Sequence, residues 1–496
     1  MASLKKLLSD TMIYGLSSIV GRFLNYLLVP LYTYKIAATT GGYGVVTNVY
    51  AYTALLLVIL TFGMETTFFY FSSQHTSQRH EVFSTSAWLV GIVSAVFVGL
   101  CVAFIHPISA TLGYQNHPEY IQMMACVVAL DAFQAIFFAR LRLEGKAWKF
   151  AMLKLGFIVA NITLNLFVFL LAPSLAANHP WIMQWFRPDH QVGYIFGINL
   201  ICTAAVTLGF LPEMRSLRHG ISRRLLRPML SYTWPLLLLG IAGILNQVAD
   251  KICYRFIVPG AEGEIQLGIY GACVKIAMIM AIITQAFRYA YEPFVFGGGR
   301  DPKSKQMQGA VMKYFVIFTL AAFLAVVCYI DVFKYIICQD YWEGLDAVPI
   351  VMIAEIFMGI YFNLSFWYKL NGETYWGAVI STIGCGVLLA VNFIFVPRMG
   401  YMACAWGGLA GYGTCMLLSY CIGHVRNPIS YPLRSIAAYF TLAIALWGAT
   451  RLMQPLPFGW RIVGGTLLML VYAAAVAWGE RDLVSKIIQK VTHKKI

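Results

Sequence analysis

The chain has 496 residues, of which 60% are hydrophobic and only 11% are charged, and its net charge is +15. A soluble globular domain carries about 25% charged residues, so this composition leaves too little polar surface for a water-soluble body of this length. In a soluble protein the excess of Lys and Arg would suggest nucleic-acid binding. In a membrane protein the same excess follows from basic cytoplasmic loops, so we expect a membrane protein and no nucleic-acid partner.

Long apolar runs recur along the whole chain, and each is long enough to cross a bilayer as a helix. The runs are continuous, whereas the strands of a membrane barrel alternate between apolar and polar residues. The sequence therefore predicts an all-α polytopic membrane protein with about 14 transmembrane helices. The predicted spans are 10–37, 43–72, 83–106, 118–143, 149–172, 192–212, 229–256, 266–296, 308–333, 345–369, 374–397, 400–423, 431–452 and 458–479.

The segments that connect these spans alternate in charge. One set, which includes both chain ends, carries 23 Lys and Arg residues, and the other set carries 6. Cytoplasmic segments of membrane proteins are enriched in Lys and Arg, so we predict that both termini are cytoplasmic. The side that holds the basic segments, such as 140–149 and 213–228, is called the basic side below, and the other is called the opposite side.

A weak internal similarity predicts two halves with the same orientation. The Tyr-Gly pair 43–44 at the start of the second span corresponds to the pair 270–271 in the eighth, and the same offset of 227 places Glu65 on Glu292. Parallel repeats of this kind occur in transporters. The predicted units are an N-terminal six-span lobe (1–213), a basic cytoplasmic linker (214–228), a C-terminal six-span lobe (229–425), and two extra spans with a basic tail (426–496).

The linker is partly amphipathic, so it either lies on the membrane surface or serves as a simple basic anchor.

The sequence lacks the motifs of common enzymes and metal sites. It contains no GxxxxGK[ST] loop, no GxSxG elbow and no CxxC pair. We therefore expect a transporter with no catalytic residue, no metal and no cofactor, driven by an ion gradient, a partner or the gradient of its substrate. An integral-membrane polysaccharide polymerase is a weaker alternative, because the predicted loop 173–191 is short for such an enzyme.

Charged side chains inside the spans are the most informative residues, since each costs about 2.5–3.5 kcal/mol at a helix centre that faces lipid. Several must therefore face one another or a water-filled cavity. Five are basic and five are acidic, so a strongly basic cavity requires that some acids be protonated or face elsewhere. The ten are Arg22, Glu65, Asp131, Asp250, Lys251, Arg255, Lys275, Arg288, Glu292 and Glu355.

Arg22 lies about a dozen residues into the first span, which is roughly 15–18 Å along a helix. It shares a helical face with Ser18 and Asn25, a pattern typical of a cavity wall. The alternative is an ion pair of Arg22 with Glu65 or Asp131 in the core of the bundle.

Two other groups contain charges that lie close together on one helix. Lys251 and Arg255 are one turn apart and repel each other unless an anion or the Asp250 carboxylate lies nearby, or unless both extend to the interface. Arg288 and Glu292 have the spacing of a local salt bridge.

Three more of the ten charged residues are one lysine and two carboxylic acids. Lys275 lies in the outer third of the eighth span. Asp131 and Glu355 are mid-span carboxylates that either carry a proton or form structural hydrogen bonds. Lys154 and Lys313, at inner span ends, could shift the charge balance of a cavity.

In the order and spacing of five stretches, the sequence resembles the Wzx-like polysaccharide-export flippases. Their superfamily also holds multidrug and toxin extruders and the lipid II flippase. The stretches are YGLSSIVGRFLNYLLVPLYTYKI (14–36) with GGYGV (41–45), FGMETTFFYF (62–71), ARLRLEGKAWKFAMLKL (139–155), LSYTWPLLLLGIAGILNQVADKICYRF (230–256) and LGIYGACVKIAMIM (267–280).

The resemblance implies two lobes around a central cavity that opens alternately to each side of a bacterial inner membrane. It implies transport of an undecaprenyl-diphosphate-linked oligosaccharide to the outer leaflet, with membrane lipid and the polysaccharide polymerase machinery as further partners. Some members couple transport to H⁺ or Na⁺, and an ion-coupled multidrug extruder is the alternative within the superfamily.

The resemblance also assigns roles to residues of this chain. Arg22, Lys251 and Lys275 best match the basic cavity positions of the family, and Glu65 matches a site that is commonly acidic. The candidates for substrate binding are Arg22, Asn25, Lys251, Arg255, Lys275 and Arg288. The candidates for ion coupling are Glu65, Asp131, Asp250, Glu292 and Glu355.

Overall fold

The protein is represented by a computed structural model that describes residues 20, 24, 26–176, 186–298 and 302–481. Within these ranges the chain is helical and forms no β-strand. The longer helices are α1 Leu28–Lys35, α2 Gly42–Thr61, α3 Met64–Gln74, α4 Arg79–Ala103, α5 Pro118–Leu143, α6 Ala147–Leu166, α7 Gln191–Leu208, α8 Arg223–Ile257, α9 Ala261–Gly298, α10 Pro302–Cys328, α11 Ala347–Leu364, α12 Tyr375–Met399, α13 Met402–Arg426, α14 Leu433–Leu452 and α15 Phe458–Gly479.

Short helical segments connect these helices. They are Ala38–Thr40, Thr76–Gln78, Ile105–Thr111, Phe167–Leu171, Ala172–Ala176, Pro188–His190, Leu211–Met214, Arg215–His219, Ile330–Phe333, Lys334–Ile336, Gln339–Asp346 and Phe366–Asn371.

Among the described residues, 12 helical segments are long and apolar enough to cross a membrane. They correspond to predicted spans two to eleven, thirteen and fourteen. The twelfth predicted span forms the 25-residue helix α13, but its many glycines and polar residues make it less apolar than the others. Most of the first predicted span lies outside the described residues. The prediction of an all-α, multi-pass membrane protein is confirmed.

The second predicted span consists of two helices with a kink between them. Phe62 and Gly63 adopt left-handed conformations, with φ of 35° and 74°, so α2 ends before them and α3 begins after them. A Cβ atom at Gly63 would lie 2.6 Å from Cβ of Leu236 in α8, so glycine is required there by both backbone conformation and packing. The kink places Glu65 in the first turn of α3.

The first lobe packs α3–α7 around an aromatic core. Phe137 of α5 contacts Phe83 of α4 edge-on, with ring centroids 5.2 Å apart, and Phe210 lies 5.3 Å from the same ring. Phe68 of α3 packs on the other side of Phe83, at 6.2 Å. All four side chains are buried, so the aromatic contacts hold the helices that carry the charges of this lobe.

The second lobe relies on close backbone approach between α12 and α13. A Cβ atom at Gly411 would lie 2.9 Å from the carbonyl oxygen of Gly384, and one at Gly407 would lie 2.4 Å from Oδ1 of Asn392. Small residues at helix interfaces are typical of membrane proteins, in which apolar surface gives little drive for helix association.

The final helix pair, α14 and α15, packs against α10. On the basic side, Glu480 accepts a 2.7 Å hydrogen bond from Nζ of Lys313 and 3.3 Å hydrogen bonds from the hydroxyls of Tyr314 and Tyr439. Within the bundle, the hydroxyl of Tyr472 donates to the carbonyl oxygen of Ile317 at 3.0 Å. Lys313 is therefore used to fix the helix pair to the second lobe.

The basic linker is held against the first lobe. Nε1 of Trp88 donates to the carbonyl oxygen of Leu217 at 2.9 Å, and Oγ of Ser84 donates to that of Gly220 at 2.8 Å. The chain turns at Gly220, which has φ of 66°, and α8 begins at Arg223. The end of the predicted linker is thus the first turn of α8, while the division into lobes remains a prediction.

Candidate functional site

The two predicted lobes meet along α2, α8 and α9, and glycines allow α2 and α9 to touch at the opposite side. A Cβ atom at Gly44 would lie 1.9 Å from the carbonyl oxygen of Glu264, and one at Gly271 would lie 2.4 Å from Oγ1 of Thr47. Both glycines belong to the Tyr-Gly pairs that suggested an internal repeat. The lobes are therefore in backbone contact at this end.

An ionic contact, here called the opposite-side lock, closes the same end and comprises Arg255, Glu264, Gly113 and Tyr114. Nη2 of Arg255 lies 2.6 Å from Oε1 of Glu264 and donates to the carbonyl oxygen of Gly113 at 2.8 Å. The guanidinium carbon lies 3.8 Å from the centroid of the Tyr114 ring. Arg255, a predicted cavity residue, is thus engaged between the lobes in this conformation.

Further hydrogen bonds join the lobes beside the lock. The buried Asn48 side chain donates to the carbonyl oxygen of Lys251 at 2.7 Å and accepts from the Tyr114 hydroxyl at 2.8 Å. The Tyr341 hydroxyl donates to the carbonyl oxygen of Ile36 at 2.7 Å. Segments from both lobes therefore seal the opposite side.

Towards the basic side, α3 and α8 remain in contact through polar side chains. The hydroxyls of Thr67 and Thr233 are 2.8 Å apart, and the rings of Tyr70 and Tyr232 stack with centroids 4.4 Å apart. Glu65 lies between the Gly63 and Thr67 contacts and forms an ion pair with Arg142 of α5. The side chains of this pair are 41% and 35% exposed. Because a charged pair is costly against lipid, we infer that water reaches this end of the interface.

A first cluster of charges, comprising Glu65, Asp131, Arg142 and Lys154, lies in the first lobe. Lys154 interacts electrostatically with Asp131, Glu65 and Arg142, and its ammonium lies 4.1 Å from the centroid of the Phe138 ring. Lys154 is exposed although it is surrounded by these charges, which indicates an open cleft between the helices. With all four residues ionised, the cluster carries two positive and two negative charges.

A second cluster lies in the second lobe and comprises Asp250, Lys251, Tyr270, Lys275 and Glu355. Nζ of Lys251 lies 3.0 Å from Oδ2 of Asp250, which also accepts a 2.8 Å hydrogen bond from the Tyr270 hydroxyl. Lys251 also interacts electrostatically with Lys275 and Glu355. Asp250 is therefore the carboxylate that pairs with Lys251, whereas Arg255 pairs with Glu264.

Lys275 is partly buried. Like Lys154, and unlike Arg142 and Lys251, it makes no ion pair within the part of the chain that the structure describes. The ammonium of Lys275 is therefore available to an anion that enters the interface.

The two clusters lie at different depths. Lys154 is seven residues after the basic-side start of α6, which is roughly 10 Å along the helix. Lys251 is six residues before the opposite-side end of α8, roughly 9 Å from that end. A ligand that crosses the bundle from the basic side would therefore meet the first cluster and then the second.

Comparison with known proteins relates this arrangement to one group of solved structures. The lipid II flippase MurJ, in an inward closed conformation, is 13% identical with a TM-score of 0.69, covering 96% of this chain and 100% of that chain. An inward-facing multidrug resistance MATE family transporter of the MOP superfamily is 14% identical with a TM-score of 0.65, covering 81% and 94%. The chain has the fold of the MOP-superfamily transporters.

Sequence comparison adds no closer relative: no protein-family model matches the chain, and no curated protein does. Identities this low establish the MOP fold alone. The solved structures that share this fold are named as multidrug transporters and a lipid II flippase.

A third solved structure with this fold, an outward-facing MATE family transporter of the MOP superfamily, is 14% identical with a TM-score of 0.56, covering 84% of this chain and 95% of that chain.

Of the other residues predicted for the site, only some have side chains that the structure describes. Arg22 and Asn25 lie outside the described residues, so their roles stay predictions. The Arg288 guanidinium lies 4.9 Å from the centroid of the Phe362 ring. The side chain of Glu292 is not among the described parts, so the predicted salt bridge with Arg288 stays a prediction.

Sequence reasoning missed Arg142 as the partner of Glu65. Arg142 was counted with the basic segment 140–149, although it also falls at the end of the predicted span 118–143, and it lies in the last turn of α5. It follows Asp131 by eleven residues, which is three helical turns, so both side chains share one face. That spacing was the signal that could have placed Arg142 in the interior.

Proposed function

We propose that the protein is a flippase that moves an undecaprenyl-diphosphate-linked oligosaccharide from the cytoplasmic to the outer leaflet of a bacterial inner membrane, for synthesis of a surface polysaccharide. The observation that carries this proposal is the extent of the match with the lipid II flippase MurJ. It covers 96% of this chain, which leaves about 20 of 496 residues unmatched. The helices α14 and α15 have 20 and 22 residues, so the match reaches into this pair.

The two clusters supply suitable chemistry for a lipid-linked diphosphate. A diphosphate cannot cross roughly 30 Å of hydrocarbon unaided, while guanidinium and ammonium groups form charge-assisted hydrogen bonds to phosphate oxygens. Arg142 and Lys154 would receive the diphosphate near the basic side, and Lys275 and Lys251 would hold it nearer the opposite side. The lipid chain would remain in the bilayer, between the lobes.

Each cluster is electrically balanced when all its groups are ionised, and this balance suggests how an ion could drive transport. Protonation of Asp131 or Glu355 would leave one positive charge in its cluster and strengthen binding of the diphosphate. Release of that proton would weaken binding again. The same change in charge would follow from Na⁺ bound to either carboxylate, so the proposed coupling ion is H⁺ or Na⁺.

The test is a reconstitution of the full chain in liposomes. A fluorescent undecaprenyl-diphosphate disaccharide is incorporated, and its exposure in each leaflet is followed by a membrane-impermeant quencher. We expect translocation above the rate in protein-free vesicles, and little translocation of an undecaprenol that lacks phosphate. Equal rates with and without protein would contradict the proposal.

The MATE neighbours favour a second candidate, an ion-coupled multidrug extruder. The same vesicles can be loaded with a cationic dye under a proton gradient. Dye extrusion without translocation of the lipid-linked disaccharide would replace the flippase proposal with the extruder.

A further inference from the structure

A cavity of about 420 Å³ lies on the opposite side, between the second lobe and the pair α14–α15. No residue of the two clusters or the lock lines it. Its walls come from the end of α10, the segment 330–346, the start of α11 and the facing ends of α14 and α15. Sites for small molecules occupy about 300–1,000 Å³, so the cavity has room for a lipid headgroup.

The less exposed end of the cavity has one carboxylate for two cations. Asp331, with 13% of its side chain exposed, lies 2.8 Å from Nζ of Lys334 and 2.9 Å from Nη1 of Arg461. Nε of Arg461 is buried and has no hydrogen-bond partner. This end therefore carries a net positive charge and an N–H group that lacks an acceptor.

At the mouth of the cavity, carboxylates outnumber cations. Asp346, whose side chain is 65% exposed, pairs with Nη1 of Arg451 at 2.6 Å. Glu343 is exposed, and in the described part of the chain its carboxylate makes no ion pair. The mouth therefore carries a net negative charge, so the cavity is dipolar.

Two tryptophans line the cavity, but cations lie near both rings. The ammonium of Lys334 is 4.5 Å from the Trp342 ring centroid, and the guanidinium carbon of Arg451 is 5.8 Å from that of Trp447. These contacts occupy surfaces on which a sugar ring would stack. The arrangement therefore favours a small charged ligand over a saccharide.

The position of the cavity points to the source of that ligand. Four membrane helices begin or end at its wall: α10 at Cys328, α11 at Ala347, α14 at Leu452 and α15 at Phe458. The cavity thus lies at the level where lipid headgroups meet water. We propose that it binds the headgroup of a zwitterionic phospholipid with a primary ammonium, as in phosphatidylethanolamine, with the phosphate beside Arg461 and the ammonium beside Glu343.

This assignment orients the lipid as a bilayer requires. The phosphate, which is joined to the glycerol and acyl chains, takes the less exposed end, and the ammonium faces water at the mouth. A primary ammonium donates hydrogen bonds to carboxylates, whereas the quaternary ammonium of choline has no N–H to donate. The site should therefore distinguish ethanolamine from choline headgroups.

The experiment measures lipid binding to the purified full-length protein by native mass spectrometry and by the shift of its thermal unfolding midpoint. Phosphatidylethanolamine, phosphatidylcholine and phosphatidylglycerol with identical acyl chains are compared. We expect Glu343→Gln to reduce the preference for ethanolamine over choline about threefold, and Arg461→Gln to weaken binding of both about tenfold, since each removes one charge-assisted hydrogen bond. Arg434→Gln, at the exposed basic-side end of α14, is the matched control and should change neither.

Three results would overturn the proposal. One is stronger binding of phosphatidylglycerol than of phosphatidylethanolamine, because the site would then respond to negative charge alone. Another is an unchanged ethanolamine preference in Glu343→Gln, whose exposed side chain can be replaced without unfolding. The third is displacement of the bound lipid by soluble saccharide. None of these results bears on the liposome translocation assay, so the two proposals can fail separately.

Discussion

The two ends of the interface between the lobes differ in how they are held together. At the opposite side, α2 and α9 are in backbone contact at Gly44, and the lock of Arg255 and Glu264 lies beside them. Towards the basic side, the ion pair of Glu65 and Arg142 remains more than one-third exposed. One end is sealed by close packing, and the other admits water to a charged cluster.

This difference indicates which contacts favour the conformation described here over others. Backbone contact through glycine is lost abruptly when helices separate, because packed interfaces switch between discrete arrangements rather than deforming gradually. The solvated ion pair can change partners at lower cost. We infer that the opposite side sets the conformational equilibrium and that the basic side sets the affinity for the arriving substrate.

The largest expected effect comes from the sealed half of the interface. Lys275 has no ion-pair partner in the described part of the chain, so a diphosphate held there would gain a charge-assisted hydrogen bond. We expect Lys275→Gln to lower the maximum translocation rate about tenfold to a hundredfold, the equivalent of one such bond. The liposome assay measures this rate, with Lys35→Gln, at the exposed end of α1, as a matched control. A normal rate in Lys275→Gln would remove the second cluster from the translocation path.

The sealed contact itself can be broken with one methyl group. In Gly44→Ala the new Cβ would meet the carbonyl oxygen of Glu264 at 1.9 Å, so α2 and α9 must separate. We expect the free energy of unfolding to fall by about 1–3 kcal/mol, as for other overpacked sites, and hydrogen exchange to rise at 42–48 and 261–271.

Gly99→Ala is the control for this substitution, because a Cβ atom at Gly99 would have no neighbour within 4 Å. Unchanged exchange in Gly44→Ala would show that the glycine contact does not hold the opposite side closed.

Most of the fold could be predicted from sequence, because long apolar runs and alternating basic loops follow directly from the bilayer. The kink at Phe62 and Gly63 could not, since the apolar pattern continues through it. The helix of Met402–Arg426 was also predicted, although its composition alone would not identify it as a span. Its glycines serve helix packing rather than hydrophobicity.

The site was harder to predict than the fold. The neighbours Asp250 and Lys251 were predicted as a group because they are adjacent in sequence. The pair of Glu65 and Arg142 was missed, because the two residues are 77 positions apart and the sequence pattern does not show the kink that precedes Glu65. Arg255 was placed in a cavity because no pattern in the sequence shows that Gly113 of the other lobe lies beside it.

A smaller effect is expected at the solvated end. Lys154 is exposed and balanced by nearby carboxylates, so its contribution to binding competes with water and with Asp131. We expect Lys154→Gln to raise the apparent KM for the lipid-linked disaccharide about threefold to tenfold, with little change in maximum rate. Lys35→Gln again serves as the control. A loss of maximum rate equal to that of Lys275→Gln would mean that the two ends do not divide affinity from turnover.

The smallest effect concerns the loop that positions Arg142 at the solvated end. Burial acts to raise the pKa of the Glu144 carboxyl, but hydrogen bonds from Lys146 and Arg140 and their charges lower that pKa below the ordinary 4.5. A lowered pKa stabilises the fold above pH 4.5, and the contribution is lost as the pH falls through the folded-state value. We expect Glu144→Gln to be less stable than wild type at pH 7 by no more than about 1 kcal/mol, as for other partly exposed ion pairs, and the two to converge in acid. Thermal unfolding at pH 7 and at a series of pH values that falls well below 4.5 measures this, with Glu81→Gln in α4 as the control. A difference that persists in acid would show that Glu144 acts through packing rather than through its charge.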